Sequence, residues 1–347
     1  MKYPYALVAD LHAHNWSQFS QVNANGLNSR LATILSELTR AARALVAAGG
    51  DTLVIGGDLF HVRGSIAPSV FNPTVEAISE VVKMGVTVVI IPGNHDLEGK
   101  HADQLGNAMQ QLQLIEGVIV LTEPSGIDDV FLIPWVEDLD ELRAQMERFA
   151  DSSRDLVIHA PMNGVIKGLP DHGLDPQELA QLGYRRVFSG HYHNHKETAE
   201  NVFSIGATTH QTWSDPGTAA GFLLVHEDRV EFNESQAPAF VNIDAASEID
   251  PFKVGGNFVR LRLKDVEPDD LLAIKRQLEA DGALNWVDHC TKKREVTRGV
   301  SASKNVTLEV SVANYVVKHL EAGQLSKKRI AIEALEVLRE ARTVGSE

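Results

Sequence analysis

Val86-Thr87-Val88-Val89-Ile90-Ile91-Pro92-Gly93-Asn94-His95-Asp96 decides the fold. The run from Val86 to Ile91 is too uniformly apolar for a strand with one wet face, so it reads as a strand covered on both sides, with helices expected over each. It ends abruptly in Gly93-Asn94-His95-Asp96, a cluster of oxygen and imidazole groups. The same event recurs along the chain. Ala6-Leu7-Val8-Ala9 runs into Asp10-Leu11-His12, and Thr52-Leu53-Val54-Ile55 into Gly56-Gly57-Asp58. Leu156-Val157-Ile158 runs into His159, and Arg186-Val187-Phe188 leads to Gly190-His191-Tyr192-His193. All of these clusters carry ligands suited to Mn²⁺, Fe²⁺ or Zn²⁺.

Helical periodicity fills the gaps. Asn28 is an N-cap candidate for a helix to about Ala48, with Leu31, Ile34, Leu35, Leu38, Ala42 and Leu45 on one face. Pro68 opens a second helix ending at Lys83. Further helices are expected over 103–114, 138–149 and 176–182, with strands over 118–121 and 130–134. From Asn201 the texture becomes β, with a strand over 202–205 and a hairpin of Gly221–Val225 and Arg229–Phe232. After an irregular stretch come a strand from Phe258, a helix over 268–280, a strand over 284–287 and two closing helices. The class is α/β, with a catalytic domain over 1–240, a linker over 241–256 and a smaller α/β domain over 257–347.

Charge supports a boundary there. Residues 1–250 carry 15 Lys and Arg against 33 Asp and Glu, whereas residues 251–347 carry 17 against 14. An acidic front part is unsuited to phosphate unless metal ions supply positive charge. The mean hydropathy of -0.12, the shortness of the apolar runs and the lack of a signal-like N-terminus imply a cytoplasmic protein with no membrane association. Cys290 is the only cysteine, which excludes an intrachain disulfide and reads as a small buried hydrophobe.

Functional groups gather at the C-terminal ends of strands in α/β sheets, so Asp10, Asp58, Asn94, His159 and His191 are expected on one edge. Two divalent ions there would bind and polarise a phosphate and generate a hydroxide near neutral pH. Asp58, behind two glycines that permit close approach, is the best candidate to bridge them.

Together these clusters resemble the signature of calcineurin-like metallophosphoesterases, a four-layer β-sandwich flanked by helices, here followed by a capping domain. The resemblance implies that Asp10, His12, Asp58 and His193 hold one metal, and Asp58, Asn94, His159 and His191 the other. It makes His95 the proton donor to the leaving oxygen and leaves Asp96 a supporting group. Gly57-Asp58-Leu59-Phe60-His61, Ser204-Ile205-Gly206-Ala207-Thr208 and Gly221-Phe222-Leu223-Leu224-Val225 are similar to segments of the SbcD-like DNA nuclease branch. That likeness implies a catalytic role for His61 in placing the scissile phosphate, Mn²⁺ as the activating metal (with Fe²⁺ or Zn²⁺ as alternatives), and exo- or endonuclease action in DNA repair, recombination or replication. It also implies a homodimer paired with an SMC-like ATPase of the SbcC type. This chain has no phosphate-binding loop of the Gly-x-x-x-x-Gly-Lys-Ser/Thr form, so that ATPase would be a separate polypeptide. Ala13-His14-Asn15-Trp16 and Ala160-Pro161-Met162-Asn163-Gly164 depart from the branch pattern. The alternatives are a phosphoesterase for cyclic nucleotides, phosphoproteins or small phosphoesters, and a binding subunit with a vestigial site.

Other groups read more plainly. His101, His172 and His195 are expected to face solvent, while His14 is either an extra ligand or loop packing. Trp16 and Trp213 either stack on a base or anchor their loops. Lys292-Lys293-Arg294 with Arg298 is a solvated face or a contact to a phosphate backbone, and Ser326-Lys327-Lys328-Arg329 begins the last helix with positive charge against the dipole, which DNA or an acidic partner would offset.

Overall fold

The computed structural model describes residues 3–99, 108–291, 307–319 and 326–344. Its first half alternates strand and helix: β1 (Tyr5–Val8), α1 (Ser29–Ala47), β2 (Thr52–Gly56), α2 (Pro68–Lys83) and β3 (Thr87–Ile91). There follow β4 (Val118–Val120), β5 (Ser125–Ile127), β6 (Val130–Ile133), α3 (Leu139–Arg148), β7 (Asp155–His159), α4 (Pro176–Gln181) and β8 (Arg186–Gly190). Antiparallel additions come next: β9 (Lys196–Ala199), β10 (Val202–Ser204), β11 (Gly221–Val225) and β12 (Val230–Glu234). Asn28 caps α1, its side chain accepting the N–H groups of Arg30 (2.9 Å) and Leu31 (3.2 Å).

These strands build two six-stranded sheets, ordered β12-β11-β1-β2-β3-β4 and β5-β6-β7-β8-β10-β9. The central strands of each, β1-β2-β3 and β6-β7-β8, are parallel. Alternation sends Val88 and Ile90 into a core with Leu31, Leu38 and Ile78 of α1 and α2, and Val89 and Ile91 into a second core against Val157, Phe188 and Ile205. The second face of β3 is therefore covered by the other sheet, not by helices as its apolar run suggested. A third core, under α3 and α4, includes Phe131, Leu142, Leu156 and Leu179. The order is helix, sheet, sheet, helix, and a strand buried against either kind of layer has the same uniform apolarity.

The stretch read as a linker carries structure of its own. β13 (Phe240–Ile243) and α5 (Pro251–Val254) precede β14 (Phe258–Leu261), α6 (Pro268–Ala280) and β15 (Asn285–Asp288). β13, β14 and β15 form a small parallel sheet over its own core of Ile243, Val259, Leu261, Leu271 and Leu278. The compact unit containing both sandwich and small sheet runs to Lys292, and a second unit begins at Lys293. In that second unit α7 (Leu308–His319) packs on α8 (Lys327–Val344). Among the described residues, no helix is long and apolar enough to cross a membrane.

The pole of the sandwich at the strand starts is tied by one carboxylate. Asp155, fully buried at the first position of β7, accepts the hydroxyls of Tyr3 and Tyr5 at 2.9 Å each. It also takes a bidentate bond from Arg186 of β8, at 2.9 Å for both Nε and Nη2. Burial, and then Asp155, pushes the Tyr3 hydroxyl up to about 12. Asp155→Ala strands the buried Arg186 cation, so urea denaturation is expected to show a loss of about 3–5 kcal/mol. A change below about 1 kcal/mol, the range of an exposed pair, would remove this role.

Candidate metal centre

At the opposite pole, the ends of the parallel strands meet. The loop after β1 runs beside the loop after β2, with N–H bonds from Asp10 to Gly57 O (3.1 Å), His12 to Asp58 O (2.9 Å) and Ala13 to Leu59 O (2.8 Å). From the other sheet, the His191 N–H spans both oxygens of Asp10 at 3.1 and 3.0 Å. The backbone at these corners is left-handed: φ is 51° at Asp10, 45° at His12, 52° at Asp58 and 98° at His191. Such conformations cluster at functional sites. Glycine is required beside them, because a Cβ on Gly57 would lie 2.1 Å from Nδ1 of His159, and one on Gly93 would lie 2.2 Å from Oδ1 of Asp58.

Asp58, almost fully buried, is the hub. Its Oδ2 lies 3.5 Å from Nε2 of His12 and 3.4 Å from Nε2 of His159, and its Oδ1 accepts the His95 N–H at 2.8 Å. The Nδ1–H of His159 donates to Gly56 O (2.9 Å), which leaves Nε2 facing Oδ1 of Asn94 at 3.2 Å. Nδ1 of His191 faces the same Asn94 oxygen at 3.0 Å. On the other side, Asp10, His12 and His193 offer ligand atoms within 4.8 Å of one another, as do Asp10, Asp58 and His159.

The electrostatics call for a cation. The ion pairs of Asp10 and Asp58 among the described residues are with histidines alone. Burial opposes charge on His159, yet Asp58 pushes it up to about 9. Burial likewise works to raise Asp58, and His159, His12 and the His95 N–H hold it below the ordinary range. His191 is pushed down to about 3 by burial and by His159. A donor set of two buried carboxylates, an amide oxygen and several imidazoles fits divalent metal.

The neighbours are also in place. His95 donates Nδ1–H to His61 O (2.7 Å), which leaves Nε2 as its other nitrogen. The His61 ring stacks over His95 (5.5 Å, 14°), lies against Trp16 (4.5 Å) and brings Nδ1 to 3.4 Å from Nδ1 of His12. Burial, then His14 and His95, pushes His61 down to about 4. Asp96 accepts N–H groups from Gly93 (2.9 Å), Phe60 (3.0 Å) and Leu59 (3.3 Å), which locks the loops after β2 and β3 together. His14 packs edge-on to Trp16 and is not among the grouped metal donors. Trp16 and Trp213 are loop anchors: Trp16 donates to His12 O (3.3 Å), and Trp213 packs on Phe240 under Arg260.

Two histidines expected in solvent have partners. His195 stacks on Phe232 (4.3 Å, 4°) and donates to Ser204 O. His172, though exposed, contacts the Tyr192 hydroxyl at 2.9 Å. Cys290 is half-buried beside the small-sheet core. His101 and the Lys292–Arg294 run with Arg298 lie outside the described residues.

The strand-end clusters gave no notice of three supports. Trp135, two residues past β6, stacks on His191 (5.4 Å, 24°) and stands edge-on to His159. Asp215 faces Nδ1 of His193 at 3.3 Å, and Gln211 donates Nε2–H to Asp10 O at 2.7 Å. Trp135 was within reach of the strand-end rule, whereas Asp215 stands in Ser214-Asp215-Pro216-Gly217, which reads only as a turn.

Residues 3–195 match the family model described as calcineurin-like phosphoesterase. The chain belongs to that family. A calcineurin-like phosphoesterase is a hydrolase with divalent metals at its centre, and the Asp and His groups here are able to hold them. This phosphoesterase is 31% identical over 195 residues to exonuclease subunit 1 of Enterobacteria phage T4, covering 53% of this chain and 56% of the relative. It thus spans little more than half the length of the curated relative it matches. One crystal structure matches 67% of the chain and 99% of its own at 12% identity and a TM-score of 0.41. The Pseudomonas putida nuclease MPE matches 63% and 84% at 20% identity and a TM-score of 0.30, a likeness too slight to bear on this phosphoesterase.

Proposed function

We propose that this chain is a two-metal phosphodiesterase that cleaves DNA, acting as the nuclease subunit of a repair or recombination complex. The observation that carries the reading is Asp58, one buried carboxylate placed 3.5 Å from His12 and 3.4 Å from His159, with His95 bonded to its other oxygen. The likeness to a phage exonuclease subunit supports DNA as the substrate.

Asp10, His12, Asp58 and His193 would hold one ion, and Asp58, Asn94, His159 and His191 the other; Mn²⁺ is favoured over Fe²⁺ or Zn²⁺. When bound, such ions supply Lewis acidity to a phosphoryl oxygen and a more acidic water. His61, half-buried beside His95 and Trp16, positions the phosphate. His95 is steadied at Nδ1 by the His61 carbonyl and passes a proton from Nε2 to the departing oxygen. The part beyond residue 256 would cap the site or bind DNA or a partner. An SbcC-type ATPase on a separate polypeptide and a second copy of this chain are the expected partners.

The acidic front part, 15 basic against 33 acidic residues over 1–250, favours one second reading: hydrolysis of small phosphoesters or cyclic nucleotides. End-labelled single- and double-stranded DNA, incubated with the chain in Mn²⁺ or in chelator, separates the two. Cleavage in Mn²⁺ and none in chelator is expected. Metal-dependent hydrolysis of a chromogenic phosphodiester with DNA left intact would turn the assignment to the second reading.

A further inference from the structure

We propose that Asp215 is the positioning residue for His193 and sets the affinity of the metal position formed by Asp10, His12, Asp58 and His193. The inference rests on the metal assignment proposed above. Asp215 is 3% exposed and comes from the loop between β10 and β11, outside the strand-end clusters. Its Oδ1 faces Nδ1 of His193 at 3.3 Å, so Nδ1–H donates to the carboxylate and the opposite nitrogen, Nε2, is kept as the lone-pair donor. A carboxylate behind a metal-binding imidazole fixes both the tautomer and the ring direction.

The carboxylate is itself held. Oδ2 of Asp215 accepts the N–H groups of Gln211 and Thr212, both at 2.7 Å. From the same loop, Gln211 is 2% exposed and its Nε2–H donates to the carbonyls of Asp10 (2.7 Å) and Leu11 (3.2 Å). One loop therefore fixes two groups that approach within 4.8 Å of each other, Asp10 through its backbone and His193 through its ring. Among the described residues, the rings of the second metal position have no direct hydrogen bond to this loop: His159 is oriented by Gly56 O and His191 by its contacts with Trp135 and Asn94.

Asp215→Asn isolates the effect. The asparagine oxygen still accepts the loop N–H groups, whereas its amide cannot accept Nδ1–H. The full-length native chain and the Asp215→Asn and Asp215→Glu variants are titrated with Mn²⁺, with binding followed by calorimetry and by electron paramagnetic resonance. The native chain is expected to bind two ions with the signal of a coupled pair. Asp215→Asn should keep one ion at native affinity, lose about 10–100-fold at the other, and give the signal of an isolated ion. Asp215→Glu should recover part of the affinity, and the melting temperatures in chelator should agree. Two-ion binding at native affinity by Asp215→Asn overturns the proposal. So does the loss of both ions, in both variants, together with a lower melting temperature in chelator, since Asp215 would then serve the fold. A native chain that binds no Mn²⁺ overturns the metal assignment beneath it.

Discussion

Asp58→Asn is expected to slow Mn²⁺-dependent cleavage of DNA by about 10⁴-fold or more, the scale seen when a member of an interlocked catalytic unit is removed. The substitution is nearly isosteric. Its oxygen can keep accepting the His95 N–H, now 2.8 Å from Oδ1 of Asp58, so the loop that carries His95 has no reason to move. What disappears is the negative charge whose Oδ2 both His12 and His159 face, at 3.5 and 3.4 Å. Both proposed metal positions would draw on that charge, and Asp10 and Asp58 have no Lys or Arg ion pair to relinquish among the described residues. Single-turnover cleavage of end-labelled DNA, with metal content measured on the same sample, is the direct check. Unchanged cleavage by the variant would point to a contaminant and end the site assignment.

His95→Ala should produce the contrasting phenotype: cleavage slowed by about 10²–10⁴-fold, the usual worth of a placed acid, with Mn²⁺ binding retained. His95 belongs to the backbone frame around Asp58 through its N–H, which alanine keeps, and its ring lies against His61 and edge-on to His12. The informative measurement compares substrates. A nitrophenyl phosphodiester, whose leaving group departs without a proton, should show a much smaller loss than DNA. Equal losses on both would show that the ring serves substrate placement or metal retention and not proton transfer.

The strand ends were legible because parallel strands write themselves as apolar runs, and the polar residue that breaks each run is the one the sheet presents. Asp10, Asp58, Asn94, His159 and His191 share that signal, and α2 and α6 begin and end where proline and the apolar period place them. Short or two-sided elements carry too little signal. β5 and β9 are three and four residues long and rest on pairing with β6 and β10, and β13 is defined by its register with β14 more than by its own residues. The same applies to the layer over β3, because burial by a sheet and burial by helices leave the same apolar residues. Asp215 and Gln211 are the extreme case: their importance lies in bonds to His193 and to the Asp10 carbonyl that span 22 and 201 positions along the chain.

The left-handed corners at Asp10, His12, Asp58 and His191 bear on how this centre can be moved. Each holds its side chain in a direction that ordinary turn backbone does not reach, at a cost of about 1–3 kcal/mol per residue that the surrounding sandwich must offset. Grafting the seven proposed donor side chains onto another two-sheet scaffold with relaxed turns would transplant their chemistry without their directions. The transferable unit is the corner together with its flanking glycine, as with Gly57 before Asp58 and Gly190 before His191.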